Sequence, residues 1–258
     1  MVNNIPNNIL KFIGKKGFSI NNIGFSDGTV LIYDDMVLKI ENDVLKAKET
    51  VIMMKWLKGK IPVPEVIYHE VSNNKSYLLM SRITGKMSCD EFYLEQPEKL
   101  LAILSEALKS LWKINVSDCP RNKNIDTKLK EVRKRVENGL VNLEEFDKSE
   151  FKNPEELLLW LEKNKPDDEP VLSHGDFCLP NIILEDDKIN GFIDLGDSGI
   201  SDKWYDIAIC YRSLKNNFSG IYGGKVYPDF DPNALFKALN LKPNHKKLRY
   251  FLLMEELF

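Results

Sequence analysis

Three oxygen-bearing side chains stand out by type and spacing: Asp176 in His174-Gly175-Asp176, Asn181 five residues on, and Asp194 in Ile193-Asp194-Leu195-Gly196. A carboxylate can orient a hydroxyl and accept its proton. A carboxamide and a second carboxylate offer hard oxygen ligands to Mg²⁺, a cation that keeps several waters and takes one or two protein groups plus phosphate oxygens. A base followed by two such ligands in this order suits transfer of a phosphoryl group to a hydroxyl, where most of the catalysis lies in positioning and charge neutralisation. Singly, an Asp after Gly is ordinarily a turn residue and an Asn a cap. The set, lying among short apolar strands, carries the reading.

The surrounding residues predict how these groups are held. Val171-Leu172 reads as an apolar strand entering the site and Asn181-Ile182-Ile183-Leu184 as one leaving it. Asp186-Asp187 is a turn, and Ile189 to Leu195 is the returning strand, so Asn181 and Asp194 fall at opposite ends of one hairpin. This is the plan of the protein-kinase catalytic segment. In that plan His174 organises the loop by hydrogen bonding, and Asp206, opening an apolar stretch of helix, braces it. Upstream, Gly24-Phe25-Ser26-Asp27-Gly28-Thr29-Val30 is a small-residue turn running into a strand, and Asp34-Asp35 turns the chain back into Met36-Val37-Leu38-Lys39-Ile40. Two glycines between strands are by themselves only a hairpin, but in kinase-like enzymes such a loop covers the triphosphate and the lysine of the next strand, here Lys39, contacts it. Apolar periodicity and Pro or cap residues place helices at 43–57, 97–114, 126–138, 154–164, 202–214, 232–239 and 243–258.

The 258 residues suffice for two modest lobes, each with a core: an N-terminal nucleotide-binding lobe, 1–83, and a C-terminal catalytic and substrate-binding lobe, 84–258. A net charge of −3 gives no polybasic footprint for nucleic acid, and no apolar run is long enough to span a membrane. Met1-Val2-Asn3-Asn4-Ile5-Pro6 lacks the basic and apolar regions of a secretory leader. Cys89, Cys119, Cys178 and Cys210 form no CxxC pair, which suits a reducing cytoplasm. The expectation is a cytoplasmic enzyme, monomer or weak dimer, with no nucleic-acid or membrane partner.

Longer stretches resemble one family. Leu172-Ser173-His174-Gly175-Asp176, Gly191-Phe192-Ile193-Asp194-Leu195-Gly196, Asp202-Lys203-Trp204-Tyr205-Asp206-Ile207-Ala208, Trp56-Leu57-Lys58-Gly59-Lys60-Ile61-Pro62-Val63-Pro64 and Leu252-Leu253-Met254-Glu255-Glu256-Leu257-Phe258 are similar to segments of the aminoglycoside 3'-phosphotransferases. The resemblance implies an α+β, two-lobed protein-kinase-like fold, with a small antiparallel-sheet lobe and a larger, mainly helical one. It implies phosphorylation of an aminoglycoside hydroxyl, with Mg²⁺ and with ATP or GTP as donor. Residue by residue, Ser26 would contact phosphate, and Ser81 to Ile83 would form the hinge whose backbone meets the purine. Glu144, Glu145 and Asp147 would form an acidic substrate loop, Glu255 and Glu256 would bind amino groups, and Arg212 would set charge near Asp176. The Phe258 α-carboxylate would add a further charge if the natural chain ends there.

Two departures qualify this. The helix position where the family carries a glutamate paired to the strand lysine is Thr50, with Glu49 adjacent, and one residue of helix turns a side chain by about 100°. Either Glu49 reaches Lys39 from a rotated helix, or it is a solvated surface residue. The third residue after Asp194, typically Arg in relatives, is Asp197, which either reshapes charge near the metal or contacts a cationic acceptor. An insertion at 218–228, rich in Gly and Tyr, is a substrate-side loop or a longer helix connection. These features leave open a related kinase-like enzyme with another acceptor, such as a different antibiotic or an amino alcohol. A protein kinase lacks support, because no APE-like segment follows Asp194, and a non-catalytic pseudokinase would have to lack a base or ligand that is present here.

Overall fold

The computed structural model describes residues 5–21 and 28–258. Helix α1 (Asn7–Ile13) and strands β1 (Ser19–Asn21), β2 (Thr29–Ile32) and β3 (Met36–Glu41) lead into helix α2 (Val44–Leu57). Strands β4 (Val66–Ser72) and β5 (Lys75–Ser81) follow, and complete an antiparallel sheet in the order β1-β2-β3-β5-β4. Alternation puts Leu31, Leu38, Tyr77 and Leu79 on one face of this sheet, where Ile9 and Ile13 of α1 seal them from water. The opposite face receives α2. Its residues Val51, Met53, Met54 and Leu57, together with Leu78, join a core that continues through the rest of the chain. The two lobes therefore share apolar packing through α2.

The larger lobe holds β6 (Lys86–Met87), α3 (Glu91–Leu94), α4 (Pro97–Trp112), α5 (Ile125–Glu137) and α6 (Pro154–Lys163). Strand β7 (Pro170–Ser173), a 3-10 turn (Leu179–Asn181), β8 (Ile182–Glu185), β9 (Lys188–Phe192) and β10 (Gly199–Asp202) come next. Helices α7 (Lys203–Phe218), α8 (Ala234–Leu239) and α9 (His245–Glu255) finish the chain. The expected catalytic hairpin is β8–β9, turned at Asp186 and Asp187 with φ of +50° and +58°, as a tight hairpin turn requires. Its return strand ends at Phe192, short of Asp194, because the chain leaves the ladder to form the loop 193–198, here called the acidic loop for Asp194 and Asp197.

Several elements were not expected from sequence. Helix α1 is short, α3 is a single turn, and β10 pairs antiparallel with β7 through Ile200 opposite Leu172. Helix α7 runs four residues past the expected end, to Phe218, so the 218–228 insertion begins later as a connection whose Phe218 and Phe230 rings stack.

Asp202 anchors this lobe. It caps α7 through the Trp204 N–H (2.7 Å), accepts the Glu169 N–H (2.9 Å), and pairs with the buried Lys247 ammonium of α9 at 2.8 Å. Glu169 also pairs with Lys247 and Lys203; although burial works against its charge, these partners hold its carboxyl down to about 2. Removing Asp202 takes one of two carboxylates from a buried ammonium and leaves two N–H groups without their acceptor. Asp202→Ala is therefore expected to lose roughly 3 kcal/mol in urea unfolding, whereas Lys16→Ala, which breaks an exposed pair with Asp35, should cost under about 1 kcal/mol.

Candidate active site

The 173–176 loop is organised from below. Asp206, in the first turn of α7 and fully buried, accepts the Ser173 hydroxyl at 2.9 Å, the His174 N–H at 2.7 Å and the Gly175 N–H at 3.0 Å. His174 is buried among Phe177 and Phe192, and its Nδ1 accepts the Asp176 N–H at 3.3 Å. Burial pushes the imidazole pKa down, so it is a neutral hydrogen-bonding residue of the loop. Gly175 has φ +84°, and a Cβ there would lie 2.1 Å from the Asp197 carbonyl oxygen. The catalytic and acidic loops thus touch backbone to backbone, and only glycine permits it.

Asp176 receives the Asn181 carboxamide, which donates to its main-chain oxygen at 3.0 Å and to Oδ2 at 2.8 Å. The Ile193 N–H donates to the Asn181 carbonyl at 3.0 Å, closing the hairpin so that Asn181 and Asp194 stand side by side. Asp194 itself has φ +57°, a left-handed backbone that costs a residue with a Cβ about 1 kcal/mol or more. Burial first, then the carboxylates of Asp194 and Glu255, push the Asp176 carboxyl up to about 6, with the bonds from Cys178 and Asn181 pulling the other way. A carboxylate so tuned is a stronger base than an ordinary aspartate and still ionised at neutral pH.

Lys39 lies across from the pair, donating to Asp194 Oδ1 at 3.0 Å. Its second carboxylate is Glu41 of the same strand face, at 3.2 Å. Burial opposes its charge, yet Asp194 and Glu41 more than offset this and raise its pKa. Glu49 does not reach Lys39. It is exposed and lies 3.7 Å from Arg121 Nε, because the Asp43 side chain caps α2 on the Lys46 N–H and so fixes a register in which Thr50, not Glu49, turns inward. Ser81 ends β5 with its N–H donated to the Glu65 carbonyl at 2.9 Å, while among the described residues the Ile83 N–H takes no main-chain partner. Ser26 lies outside the described residues.

The 144–147 loop meets the end of α9 at Asp147 and Glu256. Phe146 is buried and holds a loop from which Glu144, Glu145 and Asp147 project, and the Asp147 N–H donates to Glu256 Oε2 at 3.3 Å. Burial pushes the Glu256 carboxyl up. Glu255 behaves differently: its carboxylate is nearly buried, takes Arg212 Nη2 at 2.8 Å, and accepts the Tyr205 hydroxyl. Glu255 is thus paired within the protein, whereas the Glu256 carboxylate takes only the Asp147 N–H among the hydrogen bonds of the described residues. Lys128, fully buried, places its ammonium 3.4 Å over the Tyr205 ring and 5.5 Å from the Phe258 ring, and Arg135 donates to the carbonyls of Leu257, at 2.8 Å, and Phe258. Glu41, Tyr205, Lys128 and Arg135 were missed from sequence, since nothing local marks a lysine or tyrosine as facing a distant glutamate. Asp197 stands apart from these acids, 2.8 Å from Lys46 Nζ and 3.7 Å from Lys123 Nζ.

Known proteins resemble this chain over most of its length. Residues 18–231 match the model of the phosphotransferase enzyme family described as APH. An aminoglycoside 3'-phosphotransferase of Enterococcus faecalis is 40% identical over 210 residues, covering 80% of this chain and 76% of that one. The chain belongs to the aminoglycoside phosphotransferase family. Another member, from Niallia circulans, is 30% identical over 265 residues, which is 99% of this chain and 98% of its own. Among solved structures, aminoglycoside phosphotransferase APH(3'')-Id of Streptomyces rimosus superposes with a TM-score of 0.83 at 21% identity, covering 96% of this chain and 95% of that one. The same protein has been seen with ADP and streptomycin. At that identity the likeness establishes the kinase-like, two-lobed fold.

The raised Asp176 pKa has a stability consequence. Between its ordinary 3.8 and about 6 the folded state holds a proton that the unfolded chain has released. Stability therefore falls as pH rises through that window and stays lower above it. In EDTA, Asp176→Asn is expected to unfold at a Tm a few degrees above the wild type at pH 8, roughly 1–2 kcal/mol. The two proteins should converge below pH 4. Equal Tm values at both pH values would mean that Asp176 is not held against its charge.

Proposed function

We propose that this chain transfers the γ-phosphate of ATP or GTP to a hydroxyl of an aminoglycoside antibiotic, at the 3' position, and so confers resistance. The observation that carries this is the Asp176–Asn181–Asp194 cluster beside Lys39, in a chain 40% identical to a 3'-phosphotransferase. Residues 1–83 form the nucleotide lobe and 84–258 the catalytic and acceptor lobe. Lys39 directs its ammonium at the phosphates, Ser26 contacts them, and the Ser81 carbonyl and Ile83 N–H meet the purine edge. Asp176 orients the acceptor hydroxyl for in-line attack and takes its proton, and because desolvation already disfavours its charge, the transfer gains driving force.

The donor set suits Mg²⁺. Both Asn181 N–H groups serve Asp176, which leaves the carboxamide oxygen as a ligand, and Asp194 adds a carboxylate. Such a pair suits an ion that completes its shell with phosphates and water. When bound, Mg²⁺ neutralises the charge that develops between the β- and γ-phosphates. The polycationic acceptor is held by Glu144, Glu145, Asp147 and Glu256, with the Phe258 end pinned by Arg135, while Arg212 and Tyr205 keep Glu255 in place. Among the described residues no helix is long and apolar enough to cross a membrane. We infer a cytoplasmic enzyme acting as a monomer or weak dimer.

The decisive experiment is a phosphate-transfer screen of the purified chain against aminoglycosides, with ATP and GTP compared. Asp176→Asn should retain nucleotide binding and lose about 10²–10⁴-fold in turnover, and Asp194→Ala should lose Mg²⁺-dependent activity altogether. In the acceptor site, Glu256→Gln should raise aminoglycoside KM several-fold at low salt and leave ATP KM unchanged, with the effect shrinking as ionic strength rises. If Glu256→Gln leaves aminoglycoside KM unmoved, the acceptor lies elsewhere or is not cationic.

A further inference from the structure

Helix α2 presents one polar stripe to the larger lobe, made of Lys46, Glu49 and Thr50, three and four residues apart and hence on one face. Each meets the acidic loop or its support. Lys46 Nζ lies 2.8 Å from Asp197 Oδ2. Glu49 faces Arg121, which itself donates to the Gly196 carbonyl at 2.7 Å and the Ser198 carbonyl at 3.1 Å. Thr50 is buried, and a Cβ on Gly196 would come within 3.3 Å of Lys46 Cε and 3.9 Å of the Thr50 hydroxyl. The start of α2 is therefore seated directly on residues 196–198.

Those residues are the seam of the site. Asp194 is two positions upstream, and the Asp197 carbonyl lies where only a glycine, Gly175, can pass. A force on the Asp197 side chain thus acts on both the loop that carries Asp194 and the loop that carries Asp176. Meanwhile the strand lysine takes no carboxylate from α2: among the described residues Lys39 pairs with Glu41 and Asp194. The kinase plan normally joins the helix to the nucleotide site through that missing pair. In this chain the helix has Thr50 at the glutamate position, and the acidic loop has a carboxylate where relatives carry Arg.

We propose that Lys46 and Asp197 form an inter-lobe link that positions helix α2 against the metal-binding and catalytic loops, and that this link stands in for the helix glutamate–strand lysine pair. Both are positioning residues. Asp197 acts on nucleotide and metal, not on the acceptor, because its carboxylate is occupied by Lys46 and Lys123. Lys46 also brings a second ammonium within electrostatic reach of Asp194 and Lys39, which adds positive charge where a triphosphate would lie.

The proposal rests on the nucleotide-site reading above, so its test uses nucleotide binding and needs no acceptor. Calorimetric titration of the full chain with Mg²⁺ and ADP is run on the wild type, Lys46→Met, Asp197→Asn, the double variant and Lys46→Arg, with KM values for ATP and an aminoglycoside alongside. Each charge-removing variant should raise the Mg·ADP dissociation constant about three- to fivefold. The double variant should be no worse than the worse single one, Lys46→Arg should stay within about twofold of wild type, and aminoglycoside KM should not move. Lys46 is half exposed and Asp197→Asn is isosteric, and Lys46→Gln replaces Lys46→Met if the latter unfolds at a lower temperature. Wild-type affinity in Lys46→Met, single effects that multiply in the double variant, or an Asp197→Asn change confined to aminoglycoside KM would each overturn the link. A wild-type chain that fails to bind Mg·ADP would instead bring down the nucleotide site itself, and the link with it.

Discussion

The carboxylate of Asp206 is shut off from water and accepts three hydrogen bonds from residues 173–175, and the placement of Asp176 depends on that arrangement. Burying an ionised group is costly unless donors replace the lost water, and here all three come from one loop. Any other course of that loop would leave the carboxylate, two N–H groups and a hydroxyl unsatisfied together. The loop is therefore fixed by the cost of its alternatives. From it follow the hairpin that sets Asn181 beside Asp194 and the contact of Gly175 with Asp197 that joins the 173–176 loop to the acidic loop.

Charge is distributed unevenly along the cleft. Beside Asp194 and Asp197, Lys39 and Lys46 are each tied to carboxylates, so their ammonium groups stay charged although partly buried. At the 144–147 loop and the end of α9, Glu144, Glu145 and Asp147 are open to solvent and Glu256 is partly so, while Glu255 is paired with Arg212 and accepts the Tyr205 hydroxyl. A carboxylate with its own cation contributes shape and hydrogen bonding more than field, whereas one without attracts a polycation. Two adjacent glutamates of one short segment thus have different physical roles, because the end of α9 turns one toward α7 and the other toward the 144–147 loop.

The grouping of Asp176, Asn181 and Asp194 was legible in the sequence because it depends on spacing along a short hairpin, where local turn chemistry decides which side chains meet. The α+β division was legible too, since alternation and 3.6-residue periodicity are properties of single segments. Strand β10 was not, because its four residues are held by pairing with β7, from which they are separated by 25 residues or more in sequence. The sequence also exposed both departures, Thr50 and Asp197, as separate oddities.

What only the tertiary structure decided is which charges face each other. A lysine at 46 and an aspartate at 197 have no relation in the chain, and neither do Glu255 and Tyr205, until helix packing brings them within a few ångströms. The register of α2, set by the Asp43 cap, sends Glu49 outward to Arg121, and a helix start one residue different would have turned it by about 100°. Local pattern determines what each segment becomes, because backbone bonding and side-chain periodicity act over a few residues. Electrostatic partnership is settled last, by rotations and distances that no short stretch of sequence contains.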